Sequence, residues 1–415
     1  MRNKQAIQSF VGNFVYLLAQ WVMTVVVVRF TDDFLMAGIL SLATSLSNVF
    51  YIVASYGMRS FQVSDITKKY TDQSYVLSRL VTVSVALLAC IVYTIAMGYP
   101  ASTIIAILIF MGYKSFEAVS DVMYGIFQAN DRFDSICISM SVKGVISISV
   151  FTLLIAIGCS LIVALSGILA VAFLTFALYD VRIGRKYTVP LISFDKGIFK
   201  AVFSLLIESF LMVILLIVQP LLLAITRVYF EKNFSTELLG AYSSVSAPTL
   251  VIPTFVTCVM MPFVPLFAKY FKDKNKIKLT KVTFASVGFA AVVGAAALVF
   301  SVFFGKWLLS VLYGSSIIPY ADVFNLIIIV TTMTTMIICL EFSFIAARKL
   351  IGLSIVLLLG CLLGYVISPW FIDTYAMQGI TYVLMIAQGF QFVGALVLFS
   401  RIVKNMDKEK ELKAN

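Results

Sequence analysis

The chain has 415 residues, of which 61% are hydrophobic, 12% are charged and none is histidine, against roughly 45–50% apolar and 25% charged in a soluble domain. That balance excludes a water-soluble globule. The missing histidine removes the usual general base, proton shuttle and commonest metal ligand, so no metal site and no cofactor is expected.

Apolar runs long enough to cross a bilayer, about 20 residues each, predict helices at 7–29, 34–57, 77–98, 101–128, 138–158 and 160–180. A second set follows at 200–226, 238–266, 282–304, 321–345, 350–370 and 377–400. The first run ends in VVVVRFTDD without a small-residue cleavage site, so it reads as a span and not as a leader. Cys90, Cys137, Cys159, Cys258, Cys339 and Cys361 form no CxxC pair and read as small hydrophobes.

With the amino terminus placed in the cytoplasm, the cytoplasmic segments hold 25 of the 31 Lys and Arg residues. The outer segments hold four, namely Arg29, Arg227, Lys232 and Lys306. This positive-inside asymmetry predicts cytoplasmic termini and accounts for the net charge of +11, so nucleic acid is not an expected partner.

The expected fold class is all-α: a polytopic membrane protein of twelve helices in two six-helix lobes. Lobes of even helix number begin on the same side, which implies a pseudo-two-fold axis along the membrane normal. The division runs 1–185 for the first lobe, 186–199 for a cytoplasmic linker, 200–401 for the second lobe and 402–415 for a charged cytoplasmic tail.

The fourth span carries the strongest signal. At 100° per residue Lys114, Glu117, Asp121, Tyr124 and Gln128 fall on one face. Three charges facing lipid would cost on the order of 9 kcal/mol, so the stripe is expected to face protein or water. An internal Lys114–Glu117 pair, three residues apart, is the bland reading. Two carboxylates share one ammonium, however, and the unmatched one points to proton or sodium traffic through Glu117 and Asp121, with Glu208 and Glu341 as further candidates.

Uncharged stripes predict cavity walls: Asn13, Gln20 and Thr24 on the first span, Ser41, Ser45 and Asn48 on the second, and Gln219 on the seventh, together with Tyr124 and Gln128. Their recurrence in both halves suggests a polar cleft between lobes, although single Ser and Thr residues commonly serve helix packing. Pro248 and Pro253, with Pro262 and Pro265, make the eighth span a candidate hinge, a static kink being the alternative. Arg29, Lys306 and Lys143 lie near span ends, where snorkelling to the headgroups is the simple explanation.

Residues Tyr56 to Tyr75 (YGMRSFQVSDITKKYTDQSY) with Arg79, the run from Lys114 to Asp134 ending YGIFQANDRFD, and LGAYSSVSAPTLVIP from Leu239 resemble bacterial polysaccharide-repeat flippases of the Wzx type. Those proteins form part of the multidrug/oligosaccharidyl-lipid/polysaccharide exporter superfamily. The resemblance implies two helical bundles that move a polyprenyl-diphosphate-linked oligosaccharide to the outer leaflet of the bacterial cytoplasmic membrane, and the internal carboxylates lead to the expectation of alternating access coupled to Na+ or H+. The resemblance also implies Arg29, Arg59, Lys114 and Arg132 as residues for the diphosphate. Membrane lipid and other polysaccharide assembly proteins are the further partners implied.

A drug or metabolite cation antiporter of the same superfamily is the alternative transporter. A membrane glycosyltransferase or polysaccharide polymerase is the rival enzyme class, which the outer loop at 305–320, with one lysine and no carboxylate, disfavours. The chain is therefore not expected to be an enzyme.

Overall fold

A computed structural model describes residues 2–31, 34–65, 69–188, 197–260 and 263–414. Every regular element among them is helical. In order these are α1 (Arg2–Thr31), α2 (Phe34–Ser55), the short α3 (Met58–Ser64), α4 (Asp72–Ala96), α5 (Ala101–Ala129), α6 (Phe133–Ala156), α7 (Leu161–Gly184) and α8 (Ile198–Asn233). They continue as α9 (Thr236–Met260), α10 (Val264–Lys272), α11 (Lys276–Tyr313), α12 (Ser315–Ala347) and α13 (Leu350–Ala414).

Eleven of these helices are long and apolar enough to cross a membrane. The twelfth expected span lies inside α13, whose 65 residues would reach about 97 Å as one straight rod, far beyond a bilayer core of about 30 Å. The backbone breaks at Ala376, with φ 48° and ψ −122°. Gly352 faces Leu398, Gly394 faces Val356, and the Gln391 amide donates to the Leu357 carbonyl at 2.9 Å. These pairs run in opposite senses and converge on the break, so α13 is a hairpin of two spans. Gly379 is required at its tip, where a Cβ would lie 2.2 Å from the Phe371 carbonyl oxygen. The fold is thus an all-helical, multi-pass membrane protein of about twelve spans, as expected.

Contacts divide the chain into two compact units, Met1–Ala224 and Ile225–Asn415. The boundary falls within α8, most of which is therefore grouped with the first six spans. Of the expected connection at 186–199, residues 189–196 lie outside the described residues, as do residues 66–68 and Pro262. The expected tail at 402–415 continues α13 as helix to Ala414.

In the first unit α5 is central, packed against α2, α3, α4 and α7, while α1 lies along α6. Close approach of α1 and α6 depends on small residues: a Cβ on Gly12 would meet the Cys137 Cα at 2.9 Å, and one on Gly144 would meet the Tyr16 Cα at 3.1 Å. Thr71 accepts from the Ser74 amide and caps α4 at Asp72, earlier than the hydropathy window placed it. Leu88 and Val92 here, and Phe303 and Val366 in the second unit, are apolar and more than half exposed, a surface suited to lipid as solvent.

In the second unit α11 packs against α12, and α12 against α13. Of the prolines of the eighth expected span, Pro248 lies in a tighter 3-10 turn at Ala247–Leu250 that interrupts α9, where it offers no backbone N–H, and Pro253 lies in the helical stretch that follows. Pro265 stands in the first turn of the separate α10, where a missing N–H costs nothing.

Candidate functional site

The local chain explains how charge is brought against α5. Gly57, at φ 63°, turns the backbone out of α2 and starts α3, and a Cβ there would press on Met212 of α8 at 3.2 Å. That turn delivers Arg59 to the C-terminal half of α5. The stripe expected on α5 is present and faces inward, with Lys114, Glu117 and Tyr124 buried and Asp121 and Gln128 partly open.

Lys114 and Glu117 pair at 2.8 Å. The ammonium sits 5.5–5.8 Å from the rings of Tyr51, Phe110 and Tyr113, close enough for cation–π attraction. Gln20 reaches the other Glu117 oxygen at 3.4 Å and donates to the Tyr16 hydroxyl, which bonds that of Tyr113 at 2.7 Å.

Asp121 overturns the expected charge balance. One of its oxygens receives Arg79 Nη2 at 3.1 Å and the other Arg59 Nη1 at 3.4 Å. Arg79 is fully buried, and its second Nη donates to the Ala54 carbonyl at the end of α2 at 2.9 Å. Arg59 also donates to Gln128 Oε1 at 3.3 and 3.1 Å and lies over the Tyr124 ring. The carboxylate taken as unmatched therefore has two cationic partners, one from α4 and one from α3.

A second buried cluster joins α5, α6 and α7. Lys143 is 2% exposed and donates to Ser120 at 2.9 Å and to the Tyr124 hydroxyl at 3.4 Å. It stands 4.0 Å from Asp180, which is fully buried and accepts from Ser139 at 2.6 Å. Asp180 ends a π-helical turn, Phe176–Asp180, a widening of the helix often found where a side chain is re-aimed for function. Lys143 does not snorkel to the surface, because a counter-ion and two hydroxyls compensate it inside the bundle.

Counted together, four cations (Arg59, Arg79, Lys114, Lys143) surround three carboxylates (Glu117, Asp121, Asp180). Among the described residues of these two clusters the cations thus outnumber the carboxylates by one, whereas α5 read alone carries an excess carboxylate.

The other candidates scatter. Glu208 on α8 pairs with Lys69 and accepts from the Tyr70 hydroxyl at 2.9 Å, in a half-open setting apart from the α5 carboxylates. Arg132 forms a two-point contact with Asp134 at 2.9 and 2.8 Å and donates to Tyr187. Arg29 lies exposed in the last turn of α1. Glu341 is partly buried on α12 of the second unit, where Thr331 bonds Thr249 of α9 at 3.0 Å. Ser41 and Ser45 are buried, Asn48 is exposed, and Asn13, Thr24 and Gln219 are intermediate. All six cysteines are free thiols.

Arg79, Lys143 and Asp180 carry much of this arrangement, yet the sequence marked none of them as a site residue: Arg79 entered only through the resemblance and Lys143 only as a snorkelling side chain. Arg79 and Asp180 fall at the edges of expected spans, where a charge reads as belonging to a loop. The signal that marks Arg79 is the Thr71 cap, which sets it two turns inside α4.

No protein-family model matches the chain. The capsular polysaccharide biosynthesis protein CapF of Staphylococcus aureus is 26% identical over 311 residues, 74% of this chain and 76% of that protein. Among solved structures, the lipid II flippase MurJ in an inward closed conformation matches 96% of this chain and 90% of its own, with a TM-score of 0.74 and 14% identity. A multidrug resistance MATE family transporter of the MOP superfamily, inward-facing, matches 96% and 99%, with a TM-score of 0.69 and 12% identity. These structural neighbours are transporters and flippases. The chain has the fold of the multidrug/oligosaccharidyl-lipid/polysaccharide exporter superfamily, and its likeness to a capsular polysaccharide protein bears out the resemblance read from its sequence.

Proposed function

We propose that the protein is a flippase that moves a polyprenyl-diphosphate-linked oligosaccharide from the cytoplasmic to the outer leaflet by alternating access, and that it is not an enzyme. The observation that carries this reading is the cation excess around α5, inside membrane-spanning helices, where an anionic headgroup gains most from it. The capsule-related likeness of the chain supports a lipid-linked saccharide as the cargo.

The physical demand on such a protein is limited. A polyprenyl tail loses about 0.8 kcal/mol for each methylene taken out of the bilayer, so the tail stays in lipid and only the headgroup needs a polar path. An inside-negative potential favours outward movement of negative charge by about 2.3 kcal/mol per charge per 100 mV. Arg59 and Lys114 on this reading meet the diphosphate, with Arg29 and Arg132 nearer the two surfaces. Glu117 and Glu341 are the carboxylates proposed for coupling to Na+ or H+, and Pro248 and Pro253 the hinge. The setting is the bacterial cytoplasmic membrane with both termini in the cytoplasm, beside other polysaccharide assembly proteins.

The test is headgroup exposure in vesicles that contain only the purified chain and a polyprenyl-diphosphate oligosaccharide. Protein-dependent arrival of the sugar at the far leaflet is the expected result. Cation-driven efflux of an amphipathic dye without headgroup exposure would instead establish the antiporter reading, to which the MATE-like fold lends support.

A further inference from the structure

The two arginines on Asp121 are held in different ways. Arg79 is fixed: it is fully buried, one Nη bonds the Ala54 carbonyl at 2.9 Å and the other bonds Asp121 Oδ2 at 3.1 Å. Thr82 donates to the same Ala54 carbonyl at 2.8 Å and packs this corner further. Arg59 is held loosely: its side chain is 27% exposed, its bond to Asp121 Oδ1 is the longer at 3.4 Å, and its remaining contacts are one amide oxygen of Gln128 and the face of Tyr124. A guanidinium prefers two parallel bonds to a pair of oxygens, in a carboxylate or a phosphoryl group alike. Here Asp121 offers Arg59 a single oxygen, because its other oxygen is committed to Arg79.

We propose that Asp121 is an internal stand-in for a phosphoryl oxygen and that the site on Arg59 takes a diphosphate by exchange. An incoming diphosphate supplies two oxygens in the fork geometry that Asp121 cannot, and so displaces the carboxylate from Arg59. Arg79 retains Asp121 throughout, so the carboxylate is never left unpaired in the membrane, a state that costs several kcal/mol. Until the ligand arrives, Asp121 and Gln128 hold the Arg59 plane in place over Tyr124, which reduces the ordering cost of binding. Asp121 on this account is a positioning residue for anion recognition and not a cation-coupling group. The inference deepens the flippase reading and rests on it for the source of the ligand. The shared chemistry is the diphosphate itself, free or borne on a lipid.

The experiment uses the full chain in nanodiscs of zwitterionic lipid and reads the rise in melting temperature with ligand. One arm adds inorganic pyrophosphate to the buffer, and the other places polyprenyl diphosphate in the bilayer. Asp121→Asn removes the competing charge and is expected to lower the half-saturating concentration by about two- to fivefold, the effect of losing one partly exposed ion pair. Arg59→Gln leaves the Arg79–Asp121 pair intact and is expected to abolish the ligand-induced shift with little change in unliganded melting. A response in both arms means that the diphosphate alone suffices, and a response in the lipid arm alone assigns the site to a lipid headgroup.

A folded Asp121→Asn variant with unchanged or weaker binding overturns the proposal. So does an Arg59→Gln variant with wild-type binding, and this second test stands even where the first variant does not fold. An equal response to sulfate shows a general anion site and also overturns it. The flippase reading fails separately, through absent headgroup exposure in vesicles, whatever the binding assays give.

Discussion

Asp180 and Lys143 provide the sharpest test of the charge arrangement in the first unit. Both are buried, and their charges stand 4.0 Å apart. At an effective dielectric of about 20 that separation is worth about 4 kcal/mol, and breaking a buried pair from one side costs about 3–5 kcal/mol. Asp180→Asn removes the charge but keeps an oxygen for the 2.6 Å bond from Ser139, and Lys143 keeps Ser120 at 2.9 Å. The expected loss is therefore at the low end, about 3 kcal/mol. Lys143→Met, which strands Asp180 instead, is expected to cost about as much. The double variant leaves no unpaired charge and should cost less than the two singles combined by about 2 kcal/mol, a coupling typical of directly paired groups. The assay is reversible denaturant unfolding of the purified chain in mild detergent, with the four proteins compared in one double-mutant cycle. Single losses under about 1 kcal/mol that simply add would refute the reasoning, because they would mean that the two charges do not depend on each other.

Gly125 of α5 leaves room for a buried glutamine: a Cβ there would fall 1.8 Å from Gln62 Oε1. Gly125→Ala is expected to destabilise by about 1–3 kcal/mol, as overpacking does, and Gln62→Ala in the same chain should recover most of that loss in the same unfolding assay. The Lys69–Glu208 contact gives a pH expectation. The hydrogen bond to Glu208 raises the Lys69 ammonium above its ordinary value. Its stabilisation is accordingly complete below the unfolded lysine value near 10.4, and it is lost only as pH rises through the still higher folded value. Melting of wild type and Lys69→Met should therefore differ by a constant amount from pH 6 to 9 and converge only in strongly alkaline buffer, whereas a gap that closes between pH 6 and 8 would contradict the assignment.

Much of this protein is legible without coordinates because the deciding physics is local. Hydropathy over about 20 residues identifies a span wherever lipid is the solvent, and it separated the two halves of α13 at the position where Ala376 breaks the helix. Periodicity set Lys114, Glu117, Asp121, Tyr124 and Gln128 on one face, and the cost of charge in lipid turned that face inward. The seven-residue α3 was not legible, since it is too short for a hydropathy window and depends on the left-handed turn at Gly57.

The balance of charge was decided by tertiary structure alone. Read along α5, two carboxylates compete for one lysine; in the folded unit Arg79 from α4, Arg59 from α3 and Lys143 from α6 converge on the same helix, and Asp180 comes from α7. Glu208 has the right residue type for the cluster, yet it meets Lys69 and Tyr70 instead. An ionised group in a poorly polarisable interior takes its meaning from whichever opposite charge lies within about 4 Å. Which helices bring their charges that close is a property of packing, and no periodicity within a single helix encodes it.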